Sequence, residues 1–204
     1  MELLKLKRRL RMARRGHKLM KDKFEELLKE FTQLVQEAYR ARTAFEKILD
    51  SGYDEFAALL AEHSPGSVET TLLNSPVIAR VSARERRRAG VPLVTASLEV
   101  EGDVAEASVI HFGPRLREVG EKAREALEAA VRLAETEHNV LLLAAEMERT
   151  RRRVNALEQV LIPQLESQIK AVTAKLEEMD RESRTRVMKV KEMLEAARLE
   201  SAQK

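Results

Sequence analysis

The feature that most constrains this chain is a row of thirteen core-type positions near its start. They are Leu6, Leu10, Ala13, His17, Met20, Phe24, Leu27, Phe31, Leu34, Ala38, Ala41, Phe45 and Ile48. Steps of four and three alternate along it without a break, and only His17 is not apolar. No proline interrupts the stretch. A helix carrying one apolar stripe cannot bury that stripe on itself, so it needs a partner helix of matching length. After Ile48 the apolar face continues through Phe56, Leu59 and Leu60. His63-Ser64-Pro65-Gly66 then supplies a stop. At 1.5 Å per residue such a helix is roughly 90 Å long.

Composition agrees with long helices rather than a compact domain. Aromatic residues make up 3% of the 204, tryptophan is absent and charged residues reach 35%. Compact cores lean on aromatic bulk, whereas chains rich in Leu, Ala, Glu, Lys and Arg favour coiled coils. Cysteine is absent, so neither a disulfide frame nor a thiolate metal site is available. No apolar run is long enough to span a bilayer, and a cytoplasmic protein without direct membrane insertion is expected. The net charge of +3 is mild, but its distribution is uneven. Lys5, Lys7, Arg8, Arg9, Arg11, Arg14, Arg15, Lys18, Lys21 and Lys23 oppose only Glu2 and Asp22. Cations at a helix start also oppose the helix dipole. A solvated coiled-coil face and a contact surface for phosphates or an acidic protein both fit that run. Gly16 lies within it, as either a tolerated helix glycine or a point of close approach. His17 reads as a polar residue setting register rather than a metal ligand.

Residues 64–113 form a connector richer in proline and glycine. Leu93–Val100, a turn at Glu101-Gly102-Asp103 and a return at Val104–Ile110 read as a β-hairpin. Two strands alone are marginal in water, so this hairpin is expected to lean on a helix or a partner. Arg84, Arg86, Arg87 and Arg88 just before it read as a solvated loop. Gly113-Pro114 opens the last segment, 114–204, with proline suited to an early helix position. A second seam runs through Leu143, Met147, Thr150, Val154, Leu157, Leu161, Leu165, Ile169, Val172, Leu176, Met179, Ser183, Val187, Val190, Leu194 and Ala197. Successive steps of four at 157-161-165 and 179-183-187 unwind a left-handed supercoil locally. Pro163 lies in the first and is expected to bend the helix. The fold expected is mainly α. Helices 1–63 and 114–204 pair antiparallel, with the hairpin in the connector.

At this segment the sequence resembles a known family. The run Arg151-Arg152-Arg153-Val154-Asn155-Ala156-Leu157-Glu158-Gln159-Val160-Leu161-Ile162-Pro163-Gln164-Leu165 resembles the signature of the D subunit of rotary V/A-type ATPases. The start, Leu6-Lys7-Arg8-Arg9-Leu10 and Ala13 to Lys23, is similar to the same family. One departure is that members usually carry several more residues before the basic helix, often with Pro-Thr, where this chain has Met1-Glu2-Leu3-Leu4. The resemblance implies a central rotor shaft. Its terminal helices enter a ring of three A and three B subunits, which carries out ATP hydrolysis or synthesis. The central-stalk F subunit clasps its flank, and a membrane-side adaptor (the C or d subunit) meets its middle. On that footing Arg8, Arg9, Arg11, Arg14 and Arg15 are candidates for the ring contact. Val94, Leu98, Val100, Val109 and Pro163 are candidates for contact with the F subunit or for a regulatory contact.

No catalytic role is expected of the chain, and no cofactor or metal. It has no G-x-x-x-x-G-K-[ST] phosphate loop and no evident Ser/His/Asp or Cys/His set. A rival class is a coiled coil that binds nucleic acid through its basic start, with steep salt dependence. A prefoldin-like chaperone is shorter and lacks the Asn155–Pro163 motif. The γ shaft of F-type ATPases has a far larger middle domain.

Overall fold

The computed structural model describes residues 1–88, 90–102 and 109–202. In chain order these form α1 (Glu2–Glu62), α2 (Pro65–Leu73), β1 (Ile78–Arg88), β2 (Val91–Glu101), α3 (Val109–Ala156), a π-helical turn (Leu157–Leu161) and α4 (Ile162–Ala202). They make two compact units, one of Phe24–Arg149 and one of Met1–Lys23 with Thr150–Lys204. All thirteen positions of the N-terminal seam are buried or half-buried, so the heptad spacing is realised along α1.

In the unit Phe24–Arg149, α1 and α3 run antiparallel. Arg42 of α1 pairs with Glu137 of α3, and Arg115 near the start of α3 reaches Glu62 at 2.9 Å near the end of α1. Two apolar clusters hold the pair together. Leu27 and Leu34 pack with Leu143, Val91 and Leu93. Leu59 packs with Val68, Phe112, Leu116 and Val119. His63 closes the second cluster by meeting the Phe112 ring edge-on, with centroids 4.7 Å apart. The helix stop expected at Pro65 is also a start. Ser64 is extended, Pro65 follows as the first helical residue, and Val68 N–H donates to the Ser64 carbonyl. Proline's fixed φ and missing N–H suit that position. Gly113, at φ 61° and ψ −158°, breaks α3 just before Pro114, where the last helical segment was expected to open.

A hairpin is present, but with a different partner strand from the one expected. Leu93–Val100 lies within β2, which pairs antiparallel with the upstream strand β1, in register from Ile78↔Glu101 to Arg88↔Val91. The turn falls at Gly90, which takes a positive φ of 78°. Of the expected return strand, Val109 and Ile110 open α3, and 103–108 lie outside the described residues. Both candidate partners carry β-branched residues. The upstream one also has Arg88-Ala89-Gly90 at the right distance for a tight reversal. The arginine run read as a loop is therefore strand β1.

Gly102 leaves β2 at φ 87°, and a Cβ placed there would lie 2.5 Å from the Pro76 carbonyl oxygen. Gly16, by contrast, has nothing within 4 Å of such a Cβ, so no neighbour approaches it closely. Gly102→Ala is expected to destabilise the protein by about 1–3 kcal/mol through clash and a left-handed backbone. Gly16→Ala is expected to stabilise it by up to about 1 kcal/mol through helix propensity. Denaturant melts of the two variants against the parent check both signs.

In the unit of Met1–Lys23 with Thr150–Lys204, Arg14 meets Glu166 at 2.7 Å and His17 Nε2 lies 3.4 Å from Glu158. Rising numbers on α1 meet falling numbers on the return helix, so this pair is antiparallel as well. Its apolar core is thin, with Ala13 and Leu165 buried and Thr150 fully enclosed in the same unit. Pro163 does not break the helix. The chain takes one π turn ahead of it, and Ile162 N–H donates to the Leu157 carbonyl five residues back. That turn inserts one extra residue at the double step of four, 157-161-165. It swings Leu161 off the seam, where it is 41% exposed.

Candidate functional site

Among the described residues no group of histidines, cysteines or carboxylates could hold a metal ion. One largely apolar groove, about 270 Å³ in volume, has Leu49, Tyr53, Phe56, Leu72, Val119 and Ala123 along it, with Lys122 its one charged residue. What the molecule offers instead is three surfaces.

The first is the start of α1. Arg8, Arg9, Arg11, Arg14 and Arg15 are all exposed. Arg14 is engaged within its own unit by Glu166. The other four make no ion pair among the described residues, and their charges stay open to a partner.

The second surface is one that periodicity conceals. The return seam holds from Leu143 to Val172, with Leu161 out of line, and then leaves the core. Leu176, Met179, Val187, Val190 and Leu194, expected to be buried, are 46% to 69% exposed, and Ser183 is exposed with them. The reason is register. Arg14 lies opposite Glu166, and the described residues of α1 before it pair with α4 to about residue 178, with Leu176 at the edge of that pairing. Past that point the heptad spacing continues on a bare helix, flanked by exposed Met188 and Met193. Pairs within the helix, Arg181 with Glu178 and Arg186 with Glu182, support it. Spacing alone cannot separate a buried seam from an exposed stripe. The missing information is the pairing register.

The third surface is the hairpin. Val94, Leu98 and Val100 are half-buried on β2, and Val94 is fastened to α3. Asn139, only 6% exposed, receives the Val94 N–H at 2.7 Å and donates its amide to the Val94 carbonyl at 2.7 Å. Four residues away, Glu135 accepts the Ala96 N–H at 3.0 Å. Four helical residues rise about 6 Å and two strand residues span about 6.6 Å, so the two spacings match. Two side chains of α3 thus stand in for a third strand along the inner edge of β2. The signal in the sequence is a polar pair at i, i+4 on a helix otherwise facing apolar partners. Val109 is the first residue of α3. Pro163 is exposed in the other unit, so the five residues read as one contact are divided between two units.

The sequence matches the family profile described as the ATP synthase D subunit over residues 2–192. It is 39% identical to the V-type ATP synthase D subunit of Clostridioides difficile, covering all of this chain and 93% of that one. It is 38% identical to the V-type ATP synthase D subunit of Acetivibrio thermocellus, over 95% of this chain and 89% of that one. It is also 36% identical to the A-type ATP synthase D subunit of Thermococcus gammatolerans, over 96% and 93%. Bacterial and archaeal relatives are thus matched over nearly their whole lengths, and this chain of helices around a hairpin belongs to the family of ATP synthase D subunits.

Proposed function

We propose that the chain is the central-stalk shaft of a V/A-type rotary ATPase. In that role it transmits torque between the catalytic ring of three A and three B subunits and the membrane rotor ring. The F subunit sits on its flank, and a membrane-side adaptor (the C or d subunit) meets its middle. The shaft is not catalytic: the nucleotide chemistry belongs to the ring. The chain is held at the membrane through the complex. Among the described residues no helix is long and apolar enough to cross a bilayer.

The observation that carries this reading is the joint exposure of the α4 stripe and the basic start of α1 in one unit. A bare apolar stripe of this length on a helix calls for a protein collar, and the arginines add hydrated charge around it. Nucleic acid would use the arginines but leave the stripe uncovered, and none of the relatives above is named for nucleic acid. Antiparallel pairing suits torque, because a twist applied to one helix is resisted along the seam by the other.

Reversing the four unpaired arginines (Arg8→Glu, Arg9→Glu, Arg11→Glu, Arg15→Glu) leaves the isolated chain folded, since exposed positions away from a core change stability little. In the assembled complex the same variant is expected to bind the ring at least about tenfold more weakly, through lost charge complementarity. Co-purification with the A, B and F subunits, followed by single-particle rotation, is the measurement. Wild-type assembly and rotation would remove the basic face from the contact.

A further inference from the structure

The hairpin has two edges, and they are treated differently. On β2, Asn139 takes up the N–H and carbonyl of Val94, and Glu135 the N–H of Ala96. The outer edge of β1 meets no other strand among the described residues, because the sheet has two strands there. All eleven residues of β1 are exposed. Its pairing with β2 runs without a bulge and β1 contains no proline. Those are two of the devices by which an edge is normally kept from pairing further.

The direction of the free groups follows from the fastening of β2. Val94 and Ala96 send their N–H groups away from β1. In an antiparallel ladder, residues opposite each other point both ways alike. Their register partners Glu85 and Ala83 therefore send N–H and C=O groups outward, as do Val81 and Ala79 by alternation. The side chains are sorted too. Ile78, Arg80, Ser82, Arg84, Arg86 and Arg88 alternate onto one face, and Ala79, Val81, Ala83, Glu85 and Arg87 onto the other, where Arg87 is held by Glu85. Arg80 is paired with Glu101 and Arg88 with Glu30. Arg84 and Arg86 make no ion pair among the described residues.

We propose that β1 is a docking edge, and that it accepts an extended segment of a partner protein in which acidic residues alternate with small apolar ones. Added beside β1, such a strand would bond to the outward groups of Ala79, Val81 and Ala83. Its carboxylates would lie across from Arg84 and Arg86, within the roughly 5 Å of a cross-strand pair. Its apolar side chains would cover Val81, which is 59% exposed. Four of the five arginines that β1 carries lie on the face of Arg84 and Arg86, which is where the complementary carboxylates are placed. The proposal rests on the shaft reading for a partner protein being at hand, but its test needs no other protein of the complex.

The test uses the full-length chain and a nine-residue acetylated peptide alternating glutamate with alanine and valine. A scrambled peptide of the same composition and a short DNA duplex are the controls. Fluorescence anisotropy gives affinity, and amide exchange locates the bonds. Slowed exchange at Ala79, Val81 and Ala83 with the alternating peptide is expected. Ala83→Pro removes one outward N–H without touching the β1–β2 ladder and weakens binding about tenfold. Arg84→Gln with Arg86→Gln, at exposed sites that leave the fold intact, weakens it by at least as much. Equal binding of the scrambled peptide or the duplex, or unchanged exchange at the three amides, overturns strand addition. Failure here with normal rotation in the complex sinks the docking edge alone. Failure of the parent chain to co-purify with the A, B and F subunits, with intact peptide binding, sinks the shaft reading alone.

Discussion

Leu143→Ala lowers stability by about 2–5 kcal/mol, the range for emptying a leucine site in a packed core. Leu143 is 1% exposed and sits among Leu27, Leu34, Val91 and Leu93. It therefore contacts both α1 and the base of the hairpin. The melting temperature should fall by on the order of 10 °C. Amide exchange at Val94, whose N–H is held by Asn139, should accelerate, because the strand loses the floor it rests on. Leu141, two residues away and 68% exposed, supplies the control. Leu141→Ala should change stability by no more than about 0.5 kcal/mol. A similar loss from both substitutions would mean that burial at this turn of α3 is not what holds the unit together.

The second large effect is functional. Val187→Gln, Val190→Gln and Leu194→Gln together strip the apolar character from the distal part of α4 while keeping good helix formers in place. All three parent residues are more than half exposed. In the isolated chain the triple variant is expected to melt within about 1 kcal/mol of the parent. In the assembled complex it is expected to fail to seat in the ring, with ATP hydrolysis uncoupled from rotation or assembly lost outright. Burying several such side chains at about 1.5–3 kcal/mol each outweighs what the peripheral arginines contribute. Normal rotation would remove the stripe from the interface. A strongly destabilised isolated variant would show instead that the stripe is part of the chain's own core.

What can be read from the sequence is whatever periodicity encodes. The seam Leu6–Ile48 is buried or half-buried at every position, because an unbroken heptad has one geometric solution. The opening of the last helical segment at Pro114 follows from proline chemistry. Pairing between distant segments is not legible. The sequence points to a hairpin partner downstream rather than at Ile78–Arg88, because local turn signals rank candidates without choosing between two β-branched neighbours. The stripe from Leu176 to Leu194 reads as core, because its spacing continues the buried part and nothing local in the sequence marks where the exposed part begins. Asn139 and Glu135 form a polar pair at i, i+4, but their partners lie 39 to 45 residues away in sequence, so the pattern does not name what they hold.

The π turn at Leu157–Leu161 has a consequence for how the distal helix faces the world. Each residue of an α-helix advances about 100° around the axis, and a π turn slips one extra residue into the winding. Everything after Ile162 is therefore clocked by roughly that angle relative to a plain helix continued from Ala156. The bearing of the apolar stripe is thus an adjustable dial, set by five residues and Pro163 rather than by the stripe's own composition. Relatives could aim the same stripe at a different compass point by gaining or losing a single residue there, with the rest of the helix unaltered.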